Sequence, residues 1–170
     1  MGKHFLLFYA LLFIPLTTLA EQSIGLKVLN QWRGGWSSFT VMESSKWFPQ
    51  GGQRTELQKV EWVLKQQFQK ITVRSPGHES YIMQRYNAKE GNYQRWIFDS
   101  NGGVAVWHGR WNRKKRTMIW KLDLGGISGM MKDRFVGKDK YASTILITNS
   151  TGQVLLNANV IHSRIQSEKN

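Results

Sequence analysis

Few side chains in this 170-residue chain have the types and spacing for acid–base or covalent chemistry. Beyond the first twenty residues the histidines are His78, His108 and His162. His108 stands beside Arg110 in a run of high strand propensity, and the next such run carries Asp123. A histidine and a carboxylate meeting across neighbouring strands would form an acid–base pair. The plainer reading of the two is a structural ion pair or a satisfied histidine. His78 adjoins the Pro76-Gly77 turn and reads as a solvated loop residue. No two histidines have zinc spacing, and the absence of cysteine excludes thiolate nucleophiles and thiolate metal sites. Gly125-Gly126 and Gly129 precede no helix, so they read as bend formers rather than a phosphate cradle.

Binding chemistry is better represented. Four of the eight tryptophans fall between Tyr86 and Leu124, interleaved with cations. Side chains alternate across a strand, so each run sorts into two faces. Gln94, Trp96 and Phe98 share one side, opposite Tyr93, Arg95 and Ile97. Ala105, Trp107, Gly109 and Trp111 oppose Val104, Val106, His108, Arg110 and Asn112. Met118, Trp120, Leu122 and Leu124 oppose Thr117, Ile119, Lys121 and Asp123. Grouped by character, Trp96, Trp107, Trp111 and Trp120 make an aromatic face, and Arg95, His108, Arg110 and Lys121 a cation-bearing one. If the aromatic face looks inward it walls an apolar pocket or fills a core. If the other does, Arg95, Arg110 and Lys121 would neutralise an acidic ligand.

The elements that must position these residues are strands. Turn-forming clusters at 87–92, 99–103 and 112–116 separate the runs, a spacing that predicts an antiparallel meander. Further strands are expected at Ser37–Met42, Thr55–Leu64, Phe68–Arg74, Tyr81–Tyr86, Tyr141–Thr148 and Val154–Arg164, with a glycine-rich crossing over Gly125–Met131. No helix is expected. Trp32-Arg33-Gly34-Gly35-Trp36 suits the tight start of a closed barrel, with an aromatic ring plugging one end. Trp47 and Phe48 lie in a Pro/Gly-bearing loop and would pack on the rim or form a lid. The resulting expectation is all-β: a single antiparallel barrel of about eight to ten strands.

Charge and composition narrow the partners. The 24 Lys and Arg exceed the 11 Asp and Glu, a formal net charge of +13. Such an excess favours anionic partners, from lipid headgroups to acidic small molecules. The cluster Arg113-Lys114-Lys115-Arg116 reads as a hydrated turn tip. Residues 1–20 read as a cleavable leader: Lys3 and His4 precede the apolar run Phe5–Leu16, and small residues lead to Ala20. That run is shorter than the roughly twenty residues a membrane span needs. Cleavage would leave residues 21–170 as one β-barrel domain, exported to the periplasm or beyond. Without disulfides, its core must suffice for stability. Tyr93, Arg95 and Trp96 have the makings of a nucleic-acid stacking platform, against which export argues.

The runs Tyr86-Asn87-Ala88-Lys89-Glu90-Gly91-Asn92-Tyr93, Trp96-Ile97-Phe98-Asp99-Ser100-Asn101-Gly102-Gly103 and Gly109-Arg110-Trp111-Asn112 resemble motifs of the bacterial lipocalin-like domain family of unknown function 1579. Trp32 to Trp36 is similar to that family's early glycine-tryptophan element. The resemblance covers most of Leu29–Arg164 and implies a calycin-type barrel with a ligand-sized interior and no catalytic motif. The positive charge and the Gly125–Met131 segment depart from the pattern. His162 lies where some small haem-binding barrels of similar architecture place an axial ligand. A lone histidine on an alternating strand is ordinarily structural, and neither cofactor nor metal is expected. The function expected is non-catalytic binding of a small hydrophobic or amphipathic anionic ligand. The alternatives are a cationic protein in contact with anionic envelope lipid and, third, an enzyme using His108 and Asp123.

Overall fold

A computed structural model describes residues 16–166 of the chain, and the side chains of residues 23–166. The leader expected over residues 1–20 lies, up to residue 15, outside the described residues. Ten strands follow one helix, α1 (Leu16–Leu29): β1 (Gly34–Met42), β2 (Gly52–Val63), β3 (Phe68–Ser75), β4 (His78–Asn87), β5 (Asn92–Asp99), β6 (Val104–Asn112), β7 (Thr117–Leu124), β8 (Ile127–Phe135), β9 (Lys140–Asn149) and β10 (Val154–Arg164). Every strand pairs antiparallel with its chain neighbour, and β1 pairs with β10 to close the barrel. Closure removes the free sheet edges on which such strands would otherwise aggregate.

Two expectations are corrected here. Gly125–Met131 is no crossing: Gly125 and Gly126, at φ 51° and 89°, form the tight turn between β7 and β8. Both residues need the left-handed region, which glycine enters without steric cost. The remainder of the segment is strand, where Gly129 makes room for a ring. A Cβ on it would stand 2.7 Å from Trp107 Cη2.

The second correction is α1, where no helix was expected. Its Val28 and Leu29 are buried, and Gly25 lies flat against the Tyr86 ring. The helix thus gains its stability from packing on the barrel. Arg164, from the end of β10, donates to the carbonyls of Gln31 and Arg33 just past the helix C-terminus, while its guanidinium sits 4.2 Å from the Trp36 ring centre. A cation there also complements the helix dipole. Among the described residues no helix is long and apolar enough to cross a membrane.

α1 closes one end of the barrel, where Trp32 plugs it as the glycine-tryptophan run suggested. The Trp32 ring is edge-on to Phe135 at 4.7 Å and to Tyr141 and Trp111 at 6.3 and 6.4 Å, and is almost wholly buried. Such T-shaped contacts add stabilisation beyond area burial. At the opposite end the β1–β2 loop is tied to the start of β10 by Lys46 N–H donating to Val154 O and Trp47 N–H to Leu155 O.

Candidate ligand site

Inward-facing residues of the barrel enclose a cavity of about 630 Å³. Aliphatic side chains from many strands form its walls, among them Ile71, Val73, Ile97, Leu122, Ile145 and Val160. Trp47 and Phe48 line its mouth, held on the rim by the loop's backbone bonds. Trp32 and Trp107 line it as well, and their indole N–H groups are buried without a hydrogen-bond partner. A donor left unmade in an interior is costly.

Polar side chains gather deep in this interior. The Arg95 guanidinium stands 3.2 Å from Asp133 Oδ2, and Trp120 Nε1 donates to the same oxygen at 2.9 Å. Arg95 also lies 4.0 Å from the Trp120 ring centre, a close cation–π geometry. Its Nε donates to Gln84 Oε1, and Gln84 Nε2 donates to Gln69 Oε1. On the other side of Asp133, Ser143 Oγ donates to Oδ1 at 2.7 Å. Because that hydroxyl has spent its one proton on an acceptor-only carboxylate, its contact with His162 Nε2 at 3.1 Å requires Nε2–H as donor. His162 Nδ1 is then the acceptor for Ser38 Oγ–H at 2.7 Å. Tyr141 stacks on the imidazole at 3.8 Å and 6°.

Burial shifts the titrations of this group. Loss of solvation lowers His162 from 6.5 to about 4, outweighing Asp133, which acts the other way. His162 is accordingly neutral at pH 7. Burial likewise raises Tyr141 well above the ordinary phenol range, with Asp133 adding to the effect. The interior charge of Arg95 is matched by Asp133, and the buried Glu56 pairs with the partly exposed Arg54 at 3.0 Å.

Ser38 has the hydrogen bond to histidine that a nucleophile needs, yet it is fully buried and does not line the cavity. Both nitrogens of His162 are engaged within the chain, leaving none for iron. Among the described residues no cluster of three or more acidic or histidine side chains could hold a metal.

The expected site residues divide between the two sides of the wall. Trp107, Trp120 and Arg95 point inward, and Trp111 joins the rings around Trp32. Trp96 does not share their face. The β5–β6 register sets Arg95 opposite Trp107 and Trp96 opposite Val106, so Arg95 joins the tryptophans inside. Trp96 lies on the outer surface, 6.1 Å from Phe68 with the Arg85 guanidinium over it. His108, Arg110 and Lys121 are exposed on the outside, because Trp107, Gly109 and Trp120 take the inner positions beside them. Asp123 is exposed too, and no ion pair or hydrogen bond joins it to His108. The stacking platform of Tyr93, Arg95 and Trp96 dissolves for the same reason, since Tyr93 and Arg95 are buried.

Sequence reasoning passed over Asp133, Ser143, Gln84 and Glu56. A usable signal was present: Asp133 falls between Met131 and Phe135 at strand spacing, and Ser143 between Tyr141 and Ile145. A polar residue on the apolar face of a strand marks an interior network.

No protein-family model matches the chain, and no curated protein matches it by sequence. The likeness to family 1579 therefore rests on its motif residues. Solved structures do share the fold. Rv2717c from Mycobacterium tuberculosis matches with a TM-score of 0.63 at 11% identity, over 84% of this chain and 98% of that one. An S-type phycobiliprotein lyase from Guillardia theta matches with a TM-score of 0.57 at 10% identity, over 91% and 100%. At these identities the likeness is one of fold: a lipocalin-like, calycin-type antiparallel barrel.

Proposed function

We propose that the protein is an exported, non-catalytic binding barrel for a small, mainly apolar molecule with a hydrogen-bond-accepting end. One observation carries this reading: an apolar-walled cavity of about 630 Å³ reaches the polar side chains of the interior, Arg95, Asp133, Ser143 and His162, which line part of it. The volume falls within the roughly 300–1,000 Å³ of small-molecule sites. The apolar part of the ligand would lie against the aliphatic walls, and its accepting end would face the polar cluster. Fatty acids, amphipathic and anionic, belong to this class. Since Asp133 already matches Arg95, a neutral acceptor would serve as well. Membership of family 1579 and the leader over residues 1–20 are part of the same reading, supported by the motif run Tyr86–Asn112 and by the apolar run Phe5–Leu16.

Titration of tryptophan fluorescence with a fatty acid and the corresponding fatty alcohol tests the proposal. A saturable shift with both, weakened in Trp107→Phe, is expected. Silence with both across medium and long chains would remove its basis. Native mass spectrometry of protein from its own host would identify a retained ligand directly.

A further inference from the structure

The two ends of the barrel differ sharply in charge. The connections at the mouth, residues 43–51, 76–77, 100–103, 125–126 and 150–153, contain only Glu43 and Lys46 as charged residues. Those at the α1 end are the α1–β1 link and four hairpin tips, residues 30–33, 64–67, 88–91, 113–116 and 136–139. They carry eight cations, Arg33, Lys65, Lys89, Lys138 and the run Arg113 to Arg116, against Glu90 and Asp139. Asp139 is already paired with Arg164 at 3.1 Å. Lys27, exposed on α1, adds a further cation at this end.

Exposed aliphatic side chains stand among these cations. Ile24 of α1 is 62% exposed, Leu64 and Val136 on two tips are 65% exposed, and Ile165 beyond β10 is 46% exposed. Leu64, Lys65 and Gln66 are consecutive left-handed residues at φ 49°, 53° and 63°, and Arg116 on a third tip has φ 48°. All four positive-φ residues other than glycine, among those described, lie at this end. These left-handed conformations close the hairpin tips that carry the cations.

We propose that the α1 end of the barrel docks on an anionic membrane surface. Cations and aliphatic side chains together supply the two signals that stable interfacial binding requires, attraction to acidic headgroups and insertion at the acyl boundary. Single-stranded nucleic acid would call for aromatic rings as stacking platforms, and the exposed large apolar residues here are aliphatic. Docking this way turns the cavity mouth away from the bilayer, so ligand would exchange on the aqueous side. The inference does not depend on the cavity reading.

Flotation of the exported chain, residues 21–170, with vesicles of phosphatidylcholine, alone or mixed with phosphatidylglycerol, provides the test. Binding should favour the acidic vesicles and fall steeply with salt. Arg113→Glu with Lys115→Glu should weaken it at least about tenfold, as should Lys65→Glu with Lys89→Glu on two other tips. Lys46→Glu at the mouth should leave it unchanged. Equal binding to both vesicles, loss only in Lys46→Glu, or preference for a single-stranded oligonucleotide at matched phosphate concentration would each overturn the proposal. Circular dichroism on every variant confirms that the exposed tips were altered without loss of the barrel.

Discussion

Arg95 and Asp133, 38 residues apart in sequence, meet at 3.2 Å inside the barrel, with side-chain exposures of only 6% and 3%. Neither charge has bulk water to turn to, so each depends on the other and on its hydrogen bonds. Removing one partner is therefore far worse than removing both. Arg95→Met should cost about 3–5 kcal/mol in urea unfolding. The double replacement of Arg95 by Met and Asp133 by Leu should recover much of that loss. Equal losses in the single and double variants would show that the pair is not the source of the cost.

His162 makes the fold sensitive to acid. Its folded value of about 4 lies below the 6.5 of an exposed imidazole, so between those limits the unfolded chain binds a proton that the native state refuses. Stability is full above about pH 6.5 and declines as pH falls towards 4, by on the order of 3 kcal/mol. In His162→Gln this slope should flatten between pH 6.5 and 4, whatever the absolute stability of the variant. Urea midpoints taken across that range measure it, and an unchanged slope would place the sensitivity elsewhere.

Single atoms should matter where tryptophan meets glycine. Gly109 on β6 faces the Trp120 ring, and a Cβ there would stand 2.5 Å from Trp120 Cε3. The Trp120 indole cannot retreat without losing its bond to Asp133. Gly109→Ala should therefore destabilise by about 1–3 kcal/mol, as overpacked cores do. A thermal melt unchanged from wild type would mean that the ring has room to move.

The strands, their alternation and the closed all-β architecture were legible because strand-forming runs and turn residues carry local signals. Register between strands was not. Within β5 the sorting of Arg95 from Trp96 was correct, but which of the two faces joins Trp107 depends on the Ser100–Gly103 hairpin. Hydrophobicity alone would choose Trp96. The structure chooses Arg95 because Asp133 waits on β8, and no local window contains both. Gly125–Met131 was misjudged for a related reason: Gly129 looks like a bend former until Trp107 is seen lying over it. The leucine- and threonine-rich start of α1 has no strong amphipathic stripe, and its helicity follows from the barrel end it covers.

Enlargement of a second β6 residue should have the opposite result from Gly109→Ala. Ala105 also points inward, but it lines the cavity, where open space replaces a packed ring. Ala105→Phe can extend into that space, bury apolar area and displace nothing from the Arg95–Asp133 network. Its stability should match or slightly exceed that of the wild type, since the overpacking penalty arises only where atoms already fill the volume. Binding should respond differently, because the added ring occupies the volume a ligand would use. Affinity for a fatty acid or alcohol should fall by more than about tenfold, or 1.4 kcal/mol. Undiminished binding in a folded Ala105→Phe variant would place the ligand outside the barrel interior, whereas loss of binding with the fold intact ties it to the cavity.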